Sequence, residues 1–355
     1  MQPIGHWQLR TLSLGSQRLK VKTVLRLLVL FSASSIQSGS AAEIDSVTPR
    51  SIELENSLPA INRIFTQRLQ QGIDKANAQQ ADFDEMQDSE FCDEEILYTE
   101  LRKAIFDSLT AAWGLKGYDL DKQLRRLLAS QSYHLSLNDS VYRDINYLEG
   151  FSLNLKELSD VVNIDGHLVG LDKIGHFFAQ GWEYFELTQR DGRSLDQALD
   201  QGEEQEAGAY GYTTTGIFSF SDLVANFNGW RFWNRILLRE DDPLKGFMAN
   251  LFNRPYVSCE IQLVATIMQR KIVWAWEVDS RFDLSDYLDG TWDEGNNCNS
   301  YKDPLIEHKV AARIKRVRPG FSCPFIPDHC VDARRKYGRY AKRLLHPYCL
   351  IAGDR

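Results

Sequence analysis

The sequence predicts a mainly α fold of the α+β class: a helical core, small antiparallel hairpins and a disulfide-stapled C-terminal region. Three observations carry that expectation. Apolar residues recur at helical spacing through several long stretches. Alternating apolar residues are confined to short segments broken by turn dipeptides such as Asp165-Gly166. Six cysteines occur, four of them after residue 297, and an even count in an exported chain points to disulfides.

The 355 residues suffice for one large or two medium domains. An apolar fraction of 43% and a charged fraction of 25% are ordinary for a globular protein. The net charge of −8 argues against general nucleic-acid binding, so no nucleic-acid partner is expected.

Residues 1–42 read as a signal peptide. Arg10, Arg18, Lys20, Lys22 and Arg26 form a basic stretch, residues 27–31 begin a short apolar run, and Gly39-Ser40-Ala41-Ala42 offers small residues for cleavage. Cleavage near Ala42 would deliver a periplasmic or otherwise extracytoplasmic chain. The alternative, a signal retained as an anchor, meets an apolar run too short and Ser-rich to span a bilayer comfortably. No later segment has about twenty consecutive apolar residues, so no transmembrane span is expected in the mature chain.

Beyond the signal, three regions follow: an N-terminal helical region 43–150, a central region 151–240 and a Cys-containing basic region 241–355. No low-complexity linker forces a cut, so all three are compatible with one domain. Residues 43–57 read as a polar lead-in. Ile61, Ile64, Phe65 and Leu69 predict a helix from Leu58 to about Gln80. Residues 81–95 are acidic and fit a solvated loop entering the next helix N-terminus. Ile96, Leu97, Leu101, Ile105, Leu109 and Trp113 predict that helix, with Gly114 as its stop. A short helix follows over 120–128. Alternation at Tyr133, Leu135 and Leu137, and above all Val161 to Val169 around Asp165-Gly166, predicts strands and a hairpin.

The hairpin leads into Gly170-Leu171-Asp172-Lys173-Ile174-Gly175-His176-Phe177-Phe178, the start of a helix reaching about Thr188. Asp172, His176 and Glu183 fall close to one helical face, with Ala179 completing the stripe. Charges among so many apolar residues must be paired or do chemistry. A second helix, from Ser194 to about Tyr210, carries Glu203, Glu204 and Glu206. A third opens at Ser219, a candidate cap, with Asp222, Asn226 and Gly229 along one face; Gly229 would allow close approach of another helix. Further on, residues 271–278 predict a strand paired with 256–263, and 292–298 a loop. The last fifty or so residues are rich in Arg and Lys, which fits either a solvated face or peripheral contact with an anionic envelope surface. Cys92, Cys259, Cys298, Cys323, Cys330 and Cys349 are the disulfide candidates, and their pairing stays open.

Asp172-Lys173-x-x-His176-Phe177, then Glu206, then Ser221-Asp222-x-x-Ala225-Asn226-x-x-Gly229 resemble the pattern of the VanZ-like proteins and the periplasmic YfiM-like families. The resemblance spans about residues 170–230. It implies a helical polar cluster in a bacterial envelope protein, and no particular reaction. VanZ-like proteins are membrane-embedded; this sequence lacks comparable spans, so that setting does not transfer.

Two functions fit these residues. In the first, the polar residues form a satisfied core network in a structural or ligand-binding envelope factor, Lys173 or His176 pairing with Glu206 or Asp222 and Asn226 bonding nearby backbone. A lone His among aromatics favours this reading. In the second, His176, Asp172, Glu206, Asp222 and Asn226 form the catalytic pocket of a hydrolase acting on an envelope lipid or glycan. Its cofactor would be a divalent metal held by His176 and Glu206. Lys173, Glu183 and Gly229 would then assist binding.

Overall fold

The computed structural model describes residues 43–84, 92–106, 118–155, 157–265 and 270–353. The expected signal peptide at 1–42, most of the acidic stretch and the expected helix stop around Trp113 and Gly114 lie outside the described residues.

Among the described residues the fold is mainly helical, with three small antiparallel sheets. Helix α1 (Leu58–Asp84) buries Ile61, Phe65, Leu69, Ile73 and Ala76, a stripe at the spacing of one helical face. Helix α2 (Glu94–Ile105) packs on it, capped by Asp93, whose carboxylate accepts from the Ile96 N–H at 3.0 Å. After α3 (Tyr118–Leu127), strand β1 (Ser132–Tyr133) pairs with β2 (Val161–Ile164), and a single-turn helix α4 (Phe151–Leu155) lies between them in sequence. Strands β2 and β3 (His167–Gly170) form the expected hairpin. Asp165 and Gly166 at its tip have φ of 51° and 88°, the positive pair that a tight two-residue turn requires.

The helix after β3 is not regular. It runs as α5 (Leu171–Gly175), a π turn (His176–Gln180) and α6 (Gly181–Gln189). The next repeats the device: α7 (Leu195–Gln205), capped by a Ser194–Gln197 capping box, ends in a π turn (Glu206–Tyr210). Strand β4 (Ile217–Ser219) then leads into α8 (Phe220–Arg235), the most deeply buried long helix among the described residues. It lies against α6 where Gly181 and Gly229 face each other. A Cβ on Gly229 would sit 1.8 Å from the Phe177 carbonyl oxygen, so only glycine permits this approach.

A five-residue helix α9 (Phe247–Leu251) precedes the long hairpin of β5 (Val257–Ala265) and β6 (Arg270–Val278). Strand β7 (Asn299–Tyr301) returns to pair with β4, Ser219 opposite Asn299. The chain ends in α10 (Pro304–Val317), α11 (Pro327–Tyr337), α12 (Ala341–Leu344) and α13 (Pro347–Leu350). Disulfides Cys298–Cys323 and Cys330–Cys349 staple this end, and Cys92–Cys259 ties α2's entry to β5. No described helix is long and apolar enough to cross a membrane.

The main core is aromatic. Phe65, Phe178, Phe232 and Phe282 meet in its centre, beside Tyr98, Trp182 and Trp233. A smaller core around Val47, Val141, Ile145, Ile306 and Val310 backs onto the other side of the central helices.

Candidate functional site

Between these cores lies a cluster of ions. The β2–β3 hairpin delivers the chain inward, the Leu171 N–H donating to the Asp160 carbonyl at 2.9 Å and the Asp172 N–H to Ser159 Oγ at 3.1 Å. Lys173 follows, with 0% of its side chain exposed. Its ammonium is 2.8 Å from Asp172 Oδ2 and 2.6 Å from Glu294 Oε1, and it also bonds Asp222 Oδ1. An ammonium has three N–H donors, and three carboxylates take them.

One turn on, His176 bridges two residues of α8. Its Nε2 is 3.1 Å from Asp222 Oδ2 and its Nδ1 is 3.0 Å from Asn226 Oδ1. With oxygens facing both ring nitrogens, the ring is favoured in its cationic form. Ser219 closes the start of α8: its Oγ accepts from the Asp222 N–H and lies 3.1 Å from both Asp222 Oδ1 and Glu294 Oε1. Glu206, opening the second π turn, accepts from the Ser219 N–H at 3.1 Å. Glu43 accepts from Thr215 Oγ1 at 2.7 Å, and Asn299 Nδ2 donates to Glu294 Oε2 at 2.7 Å.

Five buried carboxyl groups (Glu43, Asp172, Glu206, Asp222 and Glu294) thus face two buried cations. Burial, reinforced by neighbouring acids, pushes Glu43 and Glu206 well above the usual carboxylate range. Burial also raises Glu294, and lifts Asp172 to about 7 against the opposing pull of Lys173. Asp222 goes the other way. Burial alone would raise it, but the His176 and Lys173 charges outweigh burial and hold it low. Burial likewise opposes the charge on Lys173 and His176, yet the carboxylates around them raise both. The acid surplus thus falls mainly on Glu43 and Glu206, whose pKa values are raised well above the usual range, while Asp222 is held ionised between Lys173 and His176.

A pH test follows for Glu206. Because its folded pKa is raised, the stability it contributes is complete below the unfolded value of about 4.3 and is lost as pH rises through the folded one. Glu206→Gln keeps an acceptor for Ser219 and cannot ionise. Its melting temperature relative to wild type is expected to climb between about pH 5 and pH 9. A constant difference across that range would mean that Glu206 is not held neutral.

Asp172, Lys173, His176, Glu206, Asp222 and Asn226 are thus brought together, and Gly229 supplies the close approach of α6 and α8. Asn226 bonds the His176 ring and not the backbone expected for it. Glu183 departs: it is half-buried and accepts from Gln205 at 3.5 Å. The π turn is the reason, since one extra residue rotates the helix beyond it by about 100° away from the Asp172 face. Two members escaped sequence reasoning altogether. Glu43 lies in the polar lead-in and Glu294 in the loop before Cys298; the only hint was a Glu between Trp292 and a Gly-Asn turn.

Asp172, His176 and Asp222 present ligand atoms all within 4.8 Å of one another, the spacing of a metal site, and Glu206 is outside that group. The residues present do not suit a metal in this arrangement. Lys173 already bonds both aspartates, and both His176 ring nitrogens are engaged by Asp222 and Asn226, so a metal would have to displace those bonds. Comparison of the chain with family models, curated proteins and solved structures gives no match, so the site is read from its own chemistry.

Proposed function

We propose that this is an extracytoplasmic protein of the bacterial envelope, structural or ligand-binding in role, whose ion cluster fixes the packing of the central helices. The observation that carries this reading is Lys173, fully buried and bonded to three carboxylates drawn from α5, α8 and the 290s loop. Such a centre specifies which elements meet, and it leaves Lys173 no donor for a substrate. Three disulfides support an oxidising compartment, and the resemblance to VanZ-like and YfiM-like proteins over residues 170–230 supports the envelope. The net charge of −8 speaks against a nucleic-acid partner. In the C-terminal region Lys309 and Lys336 pair internally with Glu149 and Asp289, while Lys315, Arg316 and Lys342 are exposed and able to meet an anionic envelope surface.

A metal-assisted or acid/base hydrolase is the second reading, favoured by the grouping of Asp172, His176 and Asp222 and by π turns at His176 and Glu206. Metal analysis of the purified mature protein beside His176→Ala separates the two. The structural reading expects no stoichiometric metal and a lower melting temperature for the variant. One equivalent of metal, lost in His176→Ala, would overturn it in favour of hydrolysis.

A further inference from the structure

A cavity of about 460 Å³ adjoins the ion cluster at Glu294, within the size range of small-molecule sites. Its walls come from the smaller core: Val47, Val141, Val310, Ile314 and Phe321. Its inner end is different. There Glu294, Asn299, Tyr142 and Tyr301 converge.

Glu294 Oε1 is occupied by Lys173 and Ser219, but Oε2 receives only the 2.7 Å bond from Asn299 Nδ2. A carboxylate oxygen has room for two donors, so Oε2 can take one more. Tyr142 OH accepts from Asn299 at 3.2 Å and keeps its own proton. Burial first, and Glu294 next, raise the pKa of both tyrosines, so they remain neutral phenols close to that carboxylate. Behind Glu294 stand the surplus buried acids of the cluster.

We infer that the cavity binds a small amphipathic cation, an alkyl chain ending in an ammonium group, with the chain along the apolar wall and the ammonium between Glu294 Oε2 and the two tyrosines. This assignment rests on the ligand-binding reading above and names the ligand class. A carboxylate beside phenol rings attracts an ammonium both by ion pairing and through the ring faces. An anionic head would meet Glu294 in a poorly solvated end and be repelled. At the mouth, Glu307 and Lys315 are exposed on α10 with opposite charges, so the entrance itself selects no sign.

Calorimetric titration of the mature protein with octylammonium, octanol and octanoate tests the assignment. Octylammonium should bind at least about tenfold tighter than octanol, the ratio conferred by one charge-assisted hydrogen bond, and octanoate should not bind. Ala311→Trp fills the cavity from the exposed face of α10 and should abolish binding with the melting temperature unchanged. Glu294→Gln should erase the preference for octylammonium over octanol. Equal binding of octanol and octylammonium, no binding of either, or full binding by Ala311→Trp would each overturn the assignment. Metal analysis is blind to these titrations, so failure here and failure of the structural reading are told apart.

Discussion

Lys173→Met is expected to destabilise the protein by about 3–5 kcal/mol, the cost of removing one partner from a buried ion pair. Methionine fits the volume of the lysine stem, so packing is nearly conserved and the loss is electrostatic. What remains is Asp172, Asp222 and Glu294 turned toward one another without the ammonium that held them. Denaturant titration at neutral pH measures the loss. It should shrink at acid pH, because protonating those carboxyls removes their repulsion. Glu294→Gln in the Lys173→Met background should recover part of the stability, since Glu294, unlike Asp222, is not paired with His176 and one charge fewer is then stranded. A Lys173→Met protein as stable as wild type would remove the central support for a structural cluster.

Removing the Cys92–Cys259 bridge by a double Cys→Ala substitution is expected to cost roughly 5 kcal/mol, because it closes a 167-residue separation and restricts the unfolded chain accordingly. The two C-terminal bridges span 25 and 19 residues, so each should cost less when removed singly. The same denaturant titrations under non-reducing conditions rank all three. If loss of Cys330–Cys349 proved more damaging than loss of Cys92–Cys259, native packing at the C-terminus, and not chain restriction, would dominate.

Much of the fold was legible because its signals are local. Ile61, Phe65 and Leu69 mark α1 by spacing alone, and Asp165-Gly166 marks the hairpin by turn chemistry. The Asp172, His176, Asp222 and Asn226 cluster was legible for a related reason: polar residues one turn apart in apolar helices have few places to go. The π turns were not legible, since a single turn of altered pitch leaves the apolar pattern almost unchanged, and Glu183 was misplaced as a result. Glu294 could not be found by pattern either. Its position depends on the pairing of β4 with β7, two three-residue strands too short to show alternation. Glu43 reaches the cluster from a segment with no periodicity at all, and the cavity beside Glu294 is a property of tertiary packing alone.

The pairing of Lys173 with Glu294 joins residues 121 positions apart. Closing so long a loop costs chain entropy that the contact itself must repay. A chain interrupted before residue 294 would hold Lys173 among apolar side chains with one of its acceptors absent, and its interior could not close around the charge. Burial of this lysine therefore reports on completeness: copies truncated before residue 294 are expected to be cleaved faster by a protease than the full chain.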